Sequence, residues 1–298
     1  MKFITAVFVT LSFLSQSALA ENLNYTSYDT KDHQAIFNNN WKINSYKAKA
    51  NFIKADSESA DLVIFSPGWG GSDKYKSAFK DIAKKLGKKN HYLYLSHPKS
   101  IDLAARTVSI FQAIKAVKKI AAVNKTIIIG ASGGAQEGLH TTHIKTADAL
   151  AEGNSIDAVV GFYPSCRSVF SDNAFYKTKT IMFLGGRDKT APAKLCHDLK
   201  NNANLVNSQI IDYPKAGHSW LFRKSEKYSQ SRTWQDCTLT IEESGVWSHK
   251  ELNSLNGIDD FLDGMSEKCN AKVKLLSGRN NTAYKQSVDS AVKFINSL

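Results

Sequence analysis

The chain has 298 residues, 42% of them hydrophobic and 22% charged, a balance that excludes wholesale disorder. Only five prolines and no Gly-x-y period exclude a collagenous chain, and no repeat of 20–50 residues marks a solenoid or propeller. The net charge of +12 sits on scattered lysines, with short clusters at Lys84-Lys85, Lys88-Lys89 and Lys118-Lys119. No basic run interleaves with stacking aromatics and no helix-turn-helix is present, so no nucleic-acid partner is expected. The charge reads as a solvated surface, with weak attraction to anionic envelope polymers or acidic substrates as the sharper alternative.

Lys2, the apolar run Phe3–Leu14 and the small-x-small ending Ala18-Leu19-Ala20 read as a secretory signal peptide, 1–20, cleaved after Ala20. The run is short for a membrane anchor, which is the alternative, and no later stretch is long and apolar enough to span a bilayer. The expected product is an exported protein, periplasmic or secreted, whose residues 21–298 form a single domain. Trp41–Ile53 alternates and suggests an antiparallel edge strand. Asp61–Ser66 is a buried strand that ends at Pro67 and glycines, and Lys76–Leu86 has helical apolar spacing. His91–Ser96 is a strand, Ile101–Val123 a long amphipathic helix, and Lys125–Ile129 a strand that runs into glycine. Ile156–Tyr163, Thr180–Leu184 and Gln209–Tyr213 are further strands, with a helix at Ala193–Leu199. Arg223–Asn270 reads as a polar, irregular excursion, and Thr282–Leu298 as a helix packed on the sheet. Continuously apolar strands separated by helices predict an α/β fold with a mostly parallel central sheet and helices on both faces.

The cysteines are Cys166, Cys196, Cys237 and Cys269, with no CxxC pair and no zinc-like spacing. An even number in an exported chain favours two disulfides. Three pairings are possible, and proximity along the chain favours Cys166–Cys196 and Cys237–Cys269. His140 and His143 lie three apart on the helix after Ser132, but no carboxylate motif accompanies them and no metal is expected. Trp234 and Trp247 read as packing residues rather than a sugar or lipid site.

Three segments carry chemistry. Gly130-Ala131-Ser132-Gly133-Gly134 fits Gly-x-Ser-x-Gly between a strand and a helix. That turn is so tight that the residues flanking a nucleophile must be small, and Ser132 is then held exposed above the sheet. An ordinary glycine-rich turn is the alternative that the flanking strand argues against. Asp188 follows the strand Thr180–Leu184, where an acid can orient a histidine. Asp212 is a rival beside the histidine loop. His218 follows the last strand and can act as general base and then general acid. The chain order Ser132, Asp188, His218 is that of α/β hydrolases. Pro67-Gly68-Trp69-Gly70-Gly71 follows the first core strand. The N–H of Gly133 and that of Trp69 or Gly70 are the expected oxyanion donors. Trp69 and, more weakly, Trp220 are candidate walls of the substrate pocket.

These segments, together with Phe162-Tyr163-Pro164-Ser165-Cys166, Gly185 to Cys196 and Tyr213 to His218, resemble the dienelactone hydrolase family, in particular its exported members with a serine nucleophile. The resemblance covers about residues 60–220. It implies the α/β-hydrolase fold, a triad on Ser132, Asp188 and His218, and a pairing of Cys166 with Cys196. Classical members use cysteine as nucleophile where this chain has Ser132. Related serine members begin the oxyanion loop with His-Gly where this chain has Pro67-Gly68. The expected activity is cleavage of a small carboxylic ester or lactone through an acyl-enzyme, with no cofactor. A peptidase or polymer-ester depolymerase on the same triad, and a non-catalytic binding module on a hydrolase scaffold, are the alternatives.

Overall fold

The computed structural model describes residues 20–69, 71–97, 102–202, 205, 207–233, 238–249, 252–255 and 271–298. Six apolar runs become parallel strands of one sheet: β3 (Ser59–Ser66), β4 (His91–Ser96), β5 (Ala122–Ala131), β6 (Ala158–Phe162), β8 (Lys179–Gly185) and β9 (Ser208–Tyr213). Two antiparallel strands, β1 (Glu21–Tyr28) and β2 (Ser45–Ile53), extend it to eight in the order β1-β2-β4-β3-β5-β6-β8-β9. Parallel neighbours need crossovers, and helices supply them. These are α2 (Ser72–Leu86), α3 (Leu103–Lys118), α4 (Gly133–His140) with α5 (Ile144–Ala151), and α6 (Ala193–Asn202).

The period of two along each strand sorts side chains to opposite faces. Leu62, Ile64, Ile128, Val159, Met182 and Leu184 face α3, α5 and α6. Val63, Phe65, Ile127, Ile129, Val160 and Phe183 face α2 and the C-terminal helix α7 (Asn281–Asn296). The ends of β3, β5, β6 and β8 stand in register, with Ser66 opposite Gly130, Ala131 opposite Phe162, and Phe162 opposite Phe183. This common rim is where the loops with chemistry leave the sheet.

Four expectations are corrected. The strand read at Trp41–Ile53 begins at Ser45 and is not the edge, because β1 pairs outside it with Glu21 opposite Phe52 and Tyr28 opposite Ser45. The helix read at Ile101–Val123 stops at Lys118, and Ala122 and Val123 already belong to β5. That helix is also buried almost all round, packed against β1, α4 and α5, with Tyr25 Oη and Ser109 Oγ 2.9 Å apart. The Arg223–Asn270 excursion contains strands. Here β10 (Lys227–Thr233) pairs antiparallel with β14 (Ala271–Ser277), and β11 (Leu239–Ile241) runs parallel to β7 (Ser168–Phe170). A second sheet of order β13-β12-β11-β7 is completed by β12 (Trp247–His249) and β13 (Leu252–Leu255). Residues 1–19 of the expected signal peptide, Gly70, Trp234, Cys237 and Cys269 lie outside the described residues.

Under this second sheet lies a buried cluster of His33, on the short helix α1 (His33–Phe37), with His140 and His143. An indole nitrogen can only donate. Trp247 Nε1 donates to His33 Nδ1 at 3.2 Å, which leaves the proton of His33 on Nε2, facing His140 Nδ1 at 3.2 Å. His143 bonds Asp172 at 2.8 Å and stacks on Phe170 with ring centroids 3.6 Å apart. Burial pushes His33 well below its usual range and His140 down to about 3, and the neighbouring rings add to both. A depressed histidine pKa makes the unfolded state the better proton acceptor below pH 6.5. Stability should therefore be complete above that pH and decline on acidification, by roughly 2 kcal/mol per such ring at pH 5. Glu137, buried on α4 with its carboxyl pushed up to about 7, opposes this as a single group. Thermal unfolding at pH 7.5 and 5.0 checks the sign, and a flat or rising melting temperature on acidification would reject it.

Candidate active site

Ser132 sits between the last residue of β5 and the first of α4. Its backbone is at φ 53°, ψ −119°, a strained region for a residue with a Cβ. The strain is held from several sides. Ser132 N donates to Phe162 O at 2.9 Å, and Ser132 O accepts from Ala135 N and Gln136 N. The elbow leaves no room for side chains around it. A Cβ on Gly130 would lie 2.3 Å from Gly134 O, and one on Gly134 2.2 Å from Ser66 O. The strand-to-helix turn is thus pressed onto the end of β3, and Oγ is projected over the rim of the sheet.

Asp188 lies in the loop after β8 and is buried. Its Oδ1 accepts from the backbone N–H of Thr190 and Ala191, both at 2.8 Å, which fixes the carboxylate plane. Its Oδ2 lies 2.6 Å from His218 Nδ1. His218 Nε2 lies 3.1 Å from Ser132 Oγ. With Nδ1–H committed to the carboxylate, the Nε2 lone pair faces the serine hydroxyl, the tautomer a general base requires. The structure thus brings Ser132, Asp188 and His218 together from three loops. Asp212 lies apart from them on β9, half-exposed and 3.1 Å from His197.

The histidine loop is anchored by β14, on the far side of the excursion. His218 N donates to Leu276 O at 2.8 Å, and His218 O accepts from Gly278 N at 2.9 Å. Gly217 passes so close that a Cβ there would lie 2.1 Å from Leu276 O, and Gly217 N donates to Glu226 at 2.9 Å. Behind the imidazole stands Tyr163, in edge contact with centroids 4.8 Å apart. Trp220 stands behind Tyr163, fully buried, with Nε1 donating to Ser287 on α7 at 3.1 Å. Trp220 therefore supports the histidine wall from the core and lines no opening, contrary to its reading as a pocket residue.

Two other loops complete the site. Gly133 is the first residue of α4, so its N–H has no acceptor within the helix. Trp69 is 44% exposed and lies directly over it, since a Cβ on Gly133 would fall 1.9 Å from Trp69 Cδ1. Gly68 threads between Ser132 and Tyr75: a Cβ there would lie 3.0 Å from Ser132 Cβ and 2.3 Å from Tyr75 Oη. Cys166 and Cys196 form a disulfide that ties the loop after Tyr163 to α6, which follows the Asp188 loop. Arg167 adds a bond to Thr190 O at 3.0 Å. Closing a loop of 30 residues contributes roughly 3–4 kcal/mol. Reduction, or Cys166→Ala with Cys196→Ala, should lower unfolding free energy by about that amount, read by denaturant unfolding; an unchanged midpoint would contradict it.

The sequence reading missed the support beneath the Pro67–Trp69 loop. Glu137 on α4 is fully buried, with Oε1 2.6 Å from Arg106 Nε and Oε2 accepting from Ser66 Oγ at 2.8 Å. Arg106, buried on α3, donates through Nη2 to Pro67 O at 2.5 Å. His97 stands 3.7 Å from the same carboxylate. One ion pair thus links the helix that begins after Ser132 to the loop opposite it. Desolvation raises the Glu137 carboxyl to about 7, while Arg106 and Ser66 pull it down. The available signal was a charged residue on the apolar side of each of two helices, since such residues are rarely buried unpaired.

Residues 103–244, just under half of the chain, match the model of the Dienelactone hydrolase family. Among solved structures, the chain is similar to esterase 2 of the planctomycete Thermogutta terrifontis. The form phosphoramylated by tabun has a TM-score of 0.51 at 15% identity, covering 69% of this chain and 87% of that one. The butyrate-bound form has a TM-score of 0.50 at 15% identity, covering 61% and 83%. No curated protein matches. The expected resemblance to the dienelactone hydrolases and the expected α/β-hydrolase fold are both found.

Proposed function

We propose that this chain, a dienelactone-hydrolase-like protein of the α/β-hydrolase superfamily, is an exported serine esterase that cleaves a small carboxylic ester or lactone through an acyl-enzyme. The observation that carries the reading is the relay from Asp188 through His218 to Ser132 at the strained elbow. His218 Nε2 takes the proton of Ser132 Oγ as the oxygen attacks the carbonyl carbon. Asp188, fixed by two backbone N–H groups, stabilises the imidazolium that forms. Negative charge on the carbonyl oxygen is met by the Gly133 N–H at the positive end of α4 and by an N–H of the Trp69–Gly70 segment. His218 then gives its proton to the leaving alkoxide, and in the second half activates the water that releases the acid. Trp69, exposed above Gly133, walls the acyl side.

Export rests on the apolar Phe3–Leu14 run and the Ala18-Leu19-Ala20 ending. The Cys166–Cys196 disulfide is in keeping with an oxidising compartment. Among the described residues no helix is long and apolar enough to cross a membrane. Residues 21–298 are then the mature protein.

The test is steady-state turnover of 4-nitrophenyl butyrate, simple lactones and peptide anilides by the disulfide-intact mature chain. Ester or lactone turnover with negligible anilide cleavage is expected, with a rate that rises with pH. Folded protein that turns over none of these substrates would end the esterase reading and leave a binding module on a hydrolase scaffold. Cleavage of anilides alone would replace it with a peptidase.

A further inference from the structure

Trp69 stands at the tip of the turn that follows β3, closed by Gly71 N donating to Gly68 O at 3.1 Å. The base of this turn is fixed from two sides. Arg106 Nη2 donates to Pro67 O at 2.5 Å, and Gly68 passes against Ser132. From that base the indole reaches across to the first residue of α4. A Cβ on Gly133 would first meet Cδ1 and Nε1 of Trp69, both at 1.9 Å, and then Cγ at 3.2 Å. All three atoms belong to the five-membered ring, so the indole turns toward Gly133 the edge that carries its N–H. A tryptophan serving only as an apolar wall has no need to present that edge.

The glycine at 133 serves this contact. Side chains at Gly130 and Gly134 would run into main-chain atoms, of Gly134 and Ala135 at the first and of Ser66 and Pro67 at the second. At Gly133 the nearest atoms in the way are those of the Trp69 side chain. Glycine disfavours a helix, yet α4 opens with two in succession. Backbone crowding demands the second, and the indole demands the first. The indole N–H is also uncommitted. An indole nitrogen can only donate, and Trp220 and Trp247 give theirs to Ser287 and His33. The exposed Trp69 gives its own to no acceptor among the described residues. A free N–H held beside the nucleophile by a fixed loop is available to charge that develops there.

Resting on the esterase reading, we propose that Trp69 is a catalytic residue whose indole N–H donates to the substrate carbonyl oxygen, beside the N–H of Gly133, as that oxygen becomes negative. The indole keeps its proton throughout. The hydrogen bond strengthens as the ester carbonyl becomes a tetrahedral oxyanion and relaxes when the alcohol leaves. The donor on this side of the site is then a side chain seated on Gly133, and not the loop backbone alone.

The test removes the N–H and keeps the ring. Protein comprising residues 21–298 is compared with Trp69→Phe and with a chain in which the Trp69 indole is replaced by benzothiophene, which has sulfur where the N–H was and nearly the same shape. Both should lower kcat for 4-nitrophenyl butyrate by about 10- to 100-fold, with KM within about twofold and the melting temperature unchanged. The second readout is inhibition by 1,1,1-trifluorohexan-2-one. Ser132 Oγ adds to its carbonyl carbon, the serine proton passes to His218, and the hemiketal oxygen stays negative in the same place. Its affinity should fall by about the factor lost in kcat. Gly133→Ala should also lower kcat, and should cost little more in a Trp69→Ala background, because its Cβ displaces only the indole. A benzothiophene chain with wild-type kcat and wild-type inhibitor affinity would overturn the proposal. So would a rise in KM at unchanged kcat, the mark of a wall alone, or a fall in kcat at unchanged inhibitor affinity. A folded wild type that turns over no ester would remove the esterase reading itself, and with it the premise.

Discussion

Ser132→Ala should lower kcat for a neutral 4-nitrophenyl ester by about 10⁴- to 10⁶-fold while leaving the melting temperature within a few degrees of wild type. The size follows from the relay. Without Oγ there is no atom to receive the acyl group, and the base at 3.1 Å has nothing to deprotonate. Stability should hold or rise slightly, because alanine at φ 53° keeps the strained backbone but removes a hydroxyl held close to an imidazole. His218→Ala should cost a similar factor, and the double replacement hardly more than either alone, because the residues act as a unit. Asp188→Asn is diagnostic in a different way. The amide can donate to Nδ1 and so favours the wrong imidazole tautomer, and a loss of about 10⁴ in kcat is expected with binding preserved. Steady-state kinetics with calorimetry on the same samples checks these points. Additive losses in the double variant would mean that the two residues do not work together.

The second large effect concerns Glu137, which touches no reacting atom. Glu137→Gln leaves Arg106 charged, buried and without a counter-ion. Breaking one side of a buried pair costs about 3–5 kcal/mol, which corresponds to a fall of roughly 6–15 °C in melting temperature for a chain of this size. A residue that only stabilises the fold would have no further effect. The pair also holds the Pro67 carbonyl through Arg106, so its loss should loosen the loop that faces the nucleophile. The double replacement Arg106→Met with Glu137→Leu separates the two roles. Apolar side chains of similar size should recover most of the stability. The turnover rate should remain about 10- to 100-fold below wild type, with KM little changed, because a misplaced oxyanion donor acts on the transition state alone. Recovery of both stability and kcat would assign the pair a purely structural role.

The parts of this molecule that were legible in the sequence are those written in short stretches of chain. Asp61–Ser66 and Lys125–Ile129 read as strands because both faces of a parallel sheet are covered, so polar residues are excluded from the run. Gly130-Ala131-Ser132-Gly133-Gly134 read as an elbow because its crowding against Ser66 and Trp69 tolerates only small neighbours. Asp188 and His218 stood out by their places just after the strands Thr180–Leu184 and Gln209–Tyr213, and the structure sets His218 between Asp188 and Ser132. What failed was through-space information. The strand β1 is half polar in sequence and is held by pairing with Ser45–Phe52 and by packing against α3. The helix α3 was overextended because Ala121, Ala122 and Val123 continue its apolar run into β5 without a breaking residue. The strands β10 and β14 are rich in serine and lysine, and the bonds that make β14 the backstop of His218 come from residues more than fifty positions away. Trp220 was misplaced for a related reason. Its position two residues past His218 suggested the pocket, but Ser219 turns the chain at φ 64° and Trp220 enters the core toward Ser287. The Arg106–Glu137 pair joins α3 to α4 beneath a loop from β3, a meeting of three segments that no local pattern announces.

The claim that Ser132 is an activated nucleophile is tested most directly by covalent capture. Disulfide-intact protein comprising residues 21–298 would be treated with a fluorophosphonate probe at pH 7.5, digested and mapped by mass spectrometry. One adduct per chain is expected on Ser132, absent in Ser132→Ala and strongly slowed in His218→Ala. Folded protein that takes up no probe, or takes it up on another residue at the wild-type rate in both variants, would contradict it.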